Sequence, residues 1–137
     1  WWDYGYYIET LANKTTLADG ATINTTQIAQ IAKIMINNQT DSLPILRSFR
    51  ATHILVFNTF NPSNPRQEWP FGDNAKWLWM VKIGGFNDAD YVSEGKVTDK
   101  FSQTTIHNLM NGLADPAYFK NVYSSGNGWV LVYEIEY

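Results

Sequence analysis

The segment from Thr25 to Asn37 narrows the possible folds more than any other. Its apolar residues Ile28, Ile31, Ala32, Met35 and Ile36 recur at i, i+3, i+4, i+7 and i+8, the period of one helix face. Asn24 or Thr25 is placed to cap the start and Asn37-Asn38 to stop the end. A stripe this apolar has to be buried against other elements, so the rest of the chain must supply them.

Those elements are legible on both sides. A helix is expected over Tyr6 to Leu11, then a β-branched strand at Thr15-Thr16-Leu17 stopped by Asp19-Gly20. After the long helix, a shorter one is expected from Ser42 to Phe49, capped by Asp41 or Thr40, with Pro44 in its first turn. His53 to Phe57 is a continuous apolar run of the kind found in strands covered on both faces. Asn58 to Pro70 holds three prolines and reads as a loop. It leads into a helix over Asn74 to Ile83, with Gly72 or Asp73 as N-cap and Gly84-Gly85 as the stop.

Asn87 to Phe101 reads as irregular, and Thr104 to Leu113 as an amphipathic helix presenting Ile106, Leu109, Met110 and Leu113. Phe119 to Tyr123 and Trp129 to Glu134 flank Ser124 to Gly128 as a hairpin. Helices alternating with strands predict an α/β fold: a compact helix-and-sheet core with a short central sheet and a C-terminal β-hairpin.

The 137 residues, 45% of them apolar, fit a single globular domain. A net charge of −3 with no Lys/Arg run removes the electrostatic footprint of a nucleic-acid binder. No stretch approaches the roughly 18 uncharged apolar residues that cross a bilayer. Cysteine is absent, so neither a disulfide framework nor a thiolate metal site is available. A start on Trp-Trp without Met is expected of a piece of something longer.

The chemistry concentrates in two places. Trp1-Trp2-Asp3-Tyr4-Gly5 sets one carboxylate beside two indole N–H donors and ends on a residue that tolerates positive φ. A carboxylate walled by indoles is partly desolvated and needs a donor, such as a hydroxyl or an amide. The competing reading is a Trp-rich core segment whose Asp caps the next helix. In the second place, Asp73, Lys76, Met80 and Ile83 stand at offsets 0, 3, 7 and 10, within an arc of about 80° on a helix. Periodicity alone supports no more than an amphipathic helix with an N-cap Asp.

The opening pentapeptide resembles the W-W-D-Y-G signature of the catalytic subunits of oligosaccharyltransferases. The pattern D-x-x-K-x-x-x-M-x-x-I resembles the DK motif of the archaeal and eukaryotic members, in the chain order of that family. Y-Y-I-E-T-L-A-N-K-T-T-L-A-D-G and the closing F-K-N-V-Y-S-S…V-L-V-Y-E-I extend the resemblance over essentially the whole chain, and its compactness favours an archaeal AglB-type enzyme.

That resemblance implies the single C-terminal globular domain of a membrane glycosyltransferase, on the extracytoplasmic face, with the transmembrane part absent. The full-length enzyme would move an oligosaccharide from a dolichyl phosphate or diphosphate carrier to the Asn of Asn-X-Ser/Thr. This piece alone would be inactive, and it is expected to be a monomer. Its partners would be the acceptor polypeptide and, through the membrane part, the lipid-linked oligosaccharide. A divalent metal, Mn2+ or Mg2+, would be bound outside this domain, and no catalytic residue or metal ligand is expected within it. Trp1, Trp2, Asp3 and Lys76 would bind the acceptor peptide at its Ser/Thr hydroxyl, supported by Tyr4, Gly5, Asp73, Met80 and Ile83. Met80 and Ile83 would anchor the helix or touch the threonine methyl, and Asp73 would hold Lys76 or cap the helix.

Weaker features have plain readings. Asp88-Ala-Asp90 with Glu94 lacks the later ligands of a calcium loop and reads as a solvated turn. His53 and His107 read as strand-edge and helix-surface residues, and Gly126-Asn127-Gly128 as a hairpin turn. The sequons at Asn13, Asn24 and Asn38 are candidate self-modification sites, with Asn24 and Asn38 equally explained as a helix cap and a helix stop. The alternative function is an aromatic-rich carbohydrate-binding module, which requires Trp1, Trp2, Trp69, Trp77 and Trp79 in one exposed patch.

Overall fold

Helix α2, Thr25–Ile36, forms where the periodicity places it, capped by the Asn24 side chain, which accepts from the Gln27 N–H at 3.1 Å. The computed structural model describes residues 1–59 and 72–137. α2 buries Ile31, Ala32, Ile34, Met35 and Ile36, and other helices and the sheet gather on that stripe.

Around it run α1 (Gly5–Ala12), α3 (Gln39–Ser48), β1 (His53–Phe57), α4 (Asp73–Ile83), β2 (Val92–Ser93), β3 (Lys96–Val97), α5 (Asp99–Ser102), α6 (Thr105–Met110), β4 (Phe119–Ser124) and β5 (Val130–Ile135). β1, β5 and β4 make an antiparallel sheet in that order, with His53 opposite Glu134 and Phe57 opposite Val130. One sheet face turns Ile54, Val56, Phe119, Tyr133 and Ile135 onto α2, onto Met80 and Val81 of α4, and onto Ile106, Leu109 and Met110 of α6. The expected mixed architecture with a short sheet and a C-terminal hairpin is the one observed. No described helix is long and apolar enough to cross a membrane.

Several expectations need correction. Thr15 to Leu17 is not a strand; Thr16 instead bonds through its N–H and hydroxyl to the Glu9 carboxylate, and Leu17 offers its carbonyl to Gln27. β-branched residues favour a pleated surface only where a partner strand exists, and here none is adjacent. Asn38 does not stop a helix but caps the next one, accepting from the Asp41 N–H at 2.8 Å, in place of the Thr40 or Asp41 cap expected. α3 therefore starts earlier, Pro44 falls in its second turn, and the Thr40 carbonyl loses its intrahelical donor.

β1 is covered mainly on one side, since burial alternates along it: Ile54 and Val56 are buried, whereas Leu55 and Phe57 are half-buried. α6 ends at Met110, and Leu113 is exposed because Gly112, at φ 67°, turns the chain away. The stretch expected to be irregular contains a 3-10 turn at Asp88–Asp90, the small β2-β3 hairpin and α5. The larger hairpin forms one residue later than expected, joined through 125–129. The loop expected over Asn58 to Pro70 lies mostly outside the described residues, as does Trp69.

Candidate functional site

Trp2–Tyr4 form a 3-10 turn that runs directly into α1. Gly5 is the first residue of that helix, at φ −54°, so its role is not the positive φ expected. It is needed for close approach: a Cβ there would collide with the Ala18 carbonyl oxygen and stand 2.8 Å from the Asp19 Cα. The 13–19 segment thus lies against the start of α1 and holds the pentapeptide on the core.

On the other side α4 arrives with Gly72 pressed to the end of β1, where a Cβ would fall 2.8 Å from Thr59 Oγ1 and 2.9 Å from the Phe57 carbonyl oxygen. This brings Asp73 fully inside. Its carboxylate accepts from the Phe57 N–H at 2.9 Å and from the Tyr4 hydroxyl at 3.2 Å. Asn74 continues the junction, accepting from the Thr59 N–H at 3.0 Å. Asp73 consequently neither caps α4 nor pairs with Lys76, the two roles expected of it.

Lys76, one turn along α4, reaches Asp3 instead and donates to its Oδ2. Its ammonium lies 4.8 Å from the centre of the Tyr4 ring and 3.5 Å from the Tyr4 oxygen. The Tyr4 ring meets Phe57 edge-on at 5.8 Å, and Trp1 meets Trp2 edge-on at 6.2 Å. Burial, followed by the Asp73 and Asp3 charges, holds the Tyr4 phenol far above its ordinary pKa, so it remains a neutral donor. Burial also raises the Asp73 carboxyl, opposed by the Phe57 and Tyr4 hydrogen bonds.

Two polar atoms are left over. The Asp3 Oδ1 and the Trp2 indole Nε1 are both buried and have no hydrogen-bond partner among the described residues. One is an acceptor and the other a donor, and each is costly to leave unmet.

The structure therefore brings together Asp3, Tyr4, Lys76 and Asp73, flanked by Trp1 and Trp2. Met80 is fully buried in the core and serves as an anchor of α4, while Ile83 is exposed further along the helix. Sequence reading missed Phe57, whose N–H and ring brace Asp73 and Tyr4; an ordinary apolar residue at a strand end carries no mark of such a role. A cleft of about 700 Å³ adjoins the cluster, sharing Trp1, Trp2 and Tyr4 and continuing over Ile8, Leu17 and Leu55. Neither Asp3 nor Lys76 lines it, so the polar chemistry lies beside the cavity rather than in it.

Other candidates fall elsewhere. Trp77 packs on Phe101 with ring centres 4.0 Å apart, and Trp79 is exposed alone beside Lys82, so the described tryptophans do not form the sugar-binding patch. Asp88 pairs with Lys82 at 3.4 Å and Asp90 with Lys100 at 2.6 Å. His107 is half-buried against Phe101 with its Nδ1 sealed, not a free surface residue. Asn13 ends α1 in a left-handed conformation at φ 51° and is exposed, whereas Asn24 and Asn38 are both occupied as caps.

Residues 1–64 match the STT3/PglB/AglB core domain. The chain is 32% identical over 144 aligned positions to the dolichyl-diphosphooligosaccharide–protein glycosyltransferase subunit STT3A of Oryza sativa subsp. japonica, covering 98% of this chain and 17% of that protein. It is 31% identical over 121 positions to the STT3 subunit of Dictyostelium discoideum, covering 83% and 16%. The chain thus spans about a sixth of the length of these curated relatives. In fold it is similar to the C-terminal globular domain of an oligosaccharyltransferase from Archaeoglobus fulgidus, with a TM-score of 0.73 at 18% identity over 99% of this chain and 78% of that one.

Proposed function

We propose that this chain, whose residues 1–64 match the STT3/PglB/AglB core domain and which is 32% identical to an STT3A subunit over most of its own length, is the acceptor-reading domain of an asparagine-linked oligosaccharyltransferase. Its task is to recognise the Ser or Thr of an Asn-X-Ser/Thr sequon in a polypeptide on the extracytoplasmic face of a membrane. The full-length protein transfers the oligosaccharide from a dolichol-linked carrier, and this domain, without the membrane part, transfers nothing.

One observation carries the reading: the unpartnered Asp3 Oδ1 and Trp2 Nε1. The sequon hydroxyl donates to the carboxylate oxygen and accepts from the indole. Lys76, holding the other oxygen, keeps Asp3 aimed. A hydrogen bond to a charged group contributes about 1.5–3 kcal/mol, so an acceptor lacking the hydroxyl binds roughly 10- to 100-fold more weakly. Trp1 and Trp2 exclude water from the pair and raise the cost of leaving it unmade.

The amide nitrogen of Asn is a weak nucleophile and has to be activated as well as positioned. The resemblance gives that activation to a divalent ion and acidic residues in the membrane part. Among the described residues, Asp3, Asp88 and Asp90 are each paired with a lysine and Asp73 accepts from Phe57 and Tyr4. This chain's contribution is binding and orientation.

The test is Asp3→Ala in the full-length protein, with transfer to Thr-sequon and Ala-substituted peptides measured in parallel. The expected result is a loss of the preference for Thr over Ala; retention of wild-type rate and affinity with the Thr peptide defeats the proposal.

A further inference from the structure

We propose that Tyr4 and Asp73 are positioning residues for the Asp3–Lys76 pair, an inference that rests on the sequon-reading function above. Both oxygens of the buried Asp73 are already engaged within the fold, so its carboxylate is not the one left to meet an acceptor. Its two hydrogen bonds nevertheless join three separate parts of the fold. One oxygen takes the N–H of Phe57 at the end of β1; the other takes the hydroxyl of Tyr4, from the pentapeptide; and Asp73 itself opens α4.

The Tyr4 oxygen is the next link. It donates to Asp73 at 3.2 Å and lies 3.5 Å from the Lys76 ammonium, which also sits over the ring at 4.8 Å. Because the phenol stays neutral, its proton is available for Asp73 while its lone pair and ring face are available to Lys76. Phe57, edge-on at 5.8 Å, fixes the tilt of the ring. The ammonium is thereby placed at one oxygen of Asp3, leaving the other, Oδ1, buried and unpartnered.

A buried carboxylate thus sets a phenol, the phenol sets an ammonium, and the ammonium sets the carboxylate that meets the acceptor. Without the Tyr4 hydroxyl, Lys76 loses a partner and Asp73 keeps a charge with one donor fewer. Asp3 then samples orientations in which Oδ1 no longer faces the acceptor hydroxyl together with the Trp2 indole. The consequence falls on recognition of the hydroxyl, not on the chemistry of transfer.

The experiment compares Tyr4→Phe, Asp73→Asn and Asp3→Ala in the full-length protein, measuring KM and kcat with Thr-sequon and Ala-substituted peptides. Tyr4→Phe keeps the ring, its contact with Phe57 and its face toward Lys76. Asp73→Asn keeps an oxygen for the Phe57 N–H. Both are expected to raise KM for the Thr peptide about 3- to 10-fold, with kcat within about twofold and a matching fall in Thr-over-Ala preference. A merely structural role would lower the amount of active protein without shifting KM. Wild-type KM in both variants, with Asp3→Ala impaired, overturns the positioning role and leaves the sequon-reading function standing. A silent Asp3→Ala overturns both. If Tyr4→Phe does not fold, Asp73→Asn carries the same expectation, and a wild-type KM in that variant alone overturns the positioning role.

Discussion

Lys76 on α4 pairs with Asp3 of the opening turn, 73 residues away, and both side chains remain partly open to solvent, at 24% and 33% of full exposure. Partly exposed pairs contribute little to stability, about 0–1 kcal/mol, so the contact is better understood as placement of a carboxylate than as a staple. Lys76→Met is accordingly expected to leave the melting temperature within about 3 °C of wild type while raising KM for a Thr-sequon peptide about tenfold. Thermal denaturation and peptide-transfer kinetics on the same preparation check both halves. A large fall in melting temperature with unchanged KM would reverse the assignment.

Gly5→Ala is expected to act in the opposite way. The added Cβ meets backbone atoms of Ala18 and Asp19, which cannot rotate away as a side chain could. The α1 start and the 13–19 segment must separate, at a cost of about 1–3 kcal/mol in line with overpacked sites. Chemical denaturation should show that loss, and hydrogen exchange should show it centred on α1. Unaltered stability would mean that the two backbones do not press on one another at Gly5.

The buried Asp73 predicts a pH dependence of definite sign. Its folded-state pKa is raised, burial being the largest cause, so between the unfolded value of 3.8 and the folded value the native state holds the proton more tightly. Its contribution to stability is present in full below 3.8 and declines as pH rises through the folded value. Asp73→Asn lacks this titration. The stability of wild type relative to Asp73→Asn should therefore fall as pH is raised from about 4 and then level off. Urea denaturation of both proteins at several pH values measures it, and a difference that grows with pH contradicts the account.

Local signals were sufficient wherever one element's own pattern decided the outcome. The i, i+3, i+4 spacing placed α2 within a residue of its true ends, and α4 begins at Asp73, one residue before the expected Asn74, behind Gly72, one of its two expected caps. They failed where the outcome depended on a partner elsewhere in space. Thr15 to Leu17 has β-branched residues but no strand to pair with, and Asn38, expected to stop one helix, caps the next. Tertiary packing holds the α2-α3 turn: it carries a polar junction in which the Thr105 N–H reaches the Asn37 carbonyl at 2.8 Å and Ser42, fully buried, bonds to the Ile34 carbonyl at 2.6 Å.

The site divides along the same line. The resemblance of two short motifs to those of oligosaccharyltransferases put Asp3 and Lys76 forward, and helical geometry put Asp73, Lys76, Met80 and Ile83 on one stripe, because both are properties of short stretches of chain. Which of those residues face one another is a matter of how far α4 tucks under β1. That depth, set by the bare Cα of Gly72, buries Asp73 beneath Tyr4 and sends Met80 into the core. It also leaves Ile83 in solvent and makes Phe57, which nothing local distinguishes, the brace of the whole cluster. The sequence by itself determined the residue types and their order along each element. Only the tertiary structure decided the partners, because burial and hydrogen bonding join residues distant in sequence, and those contacts set the charge, orientation and free valence of each group.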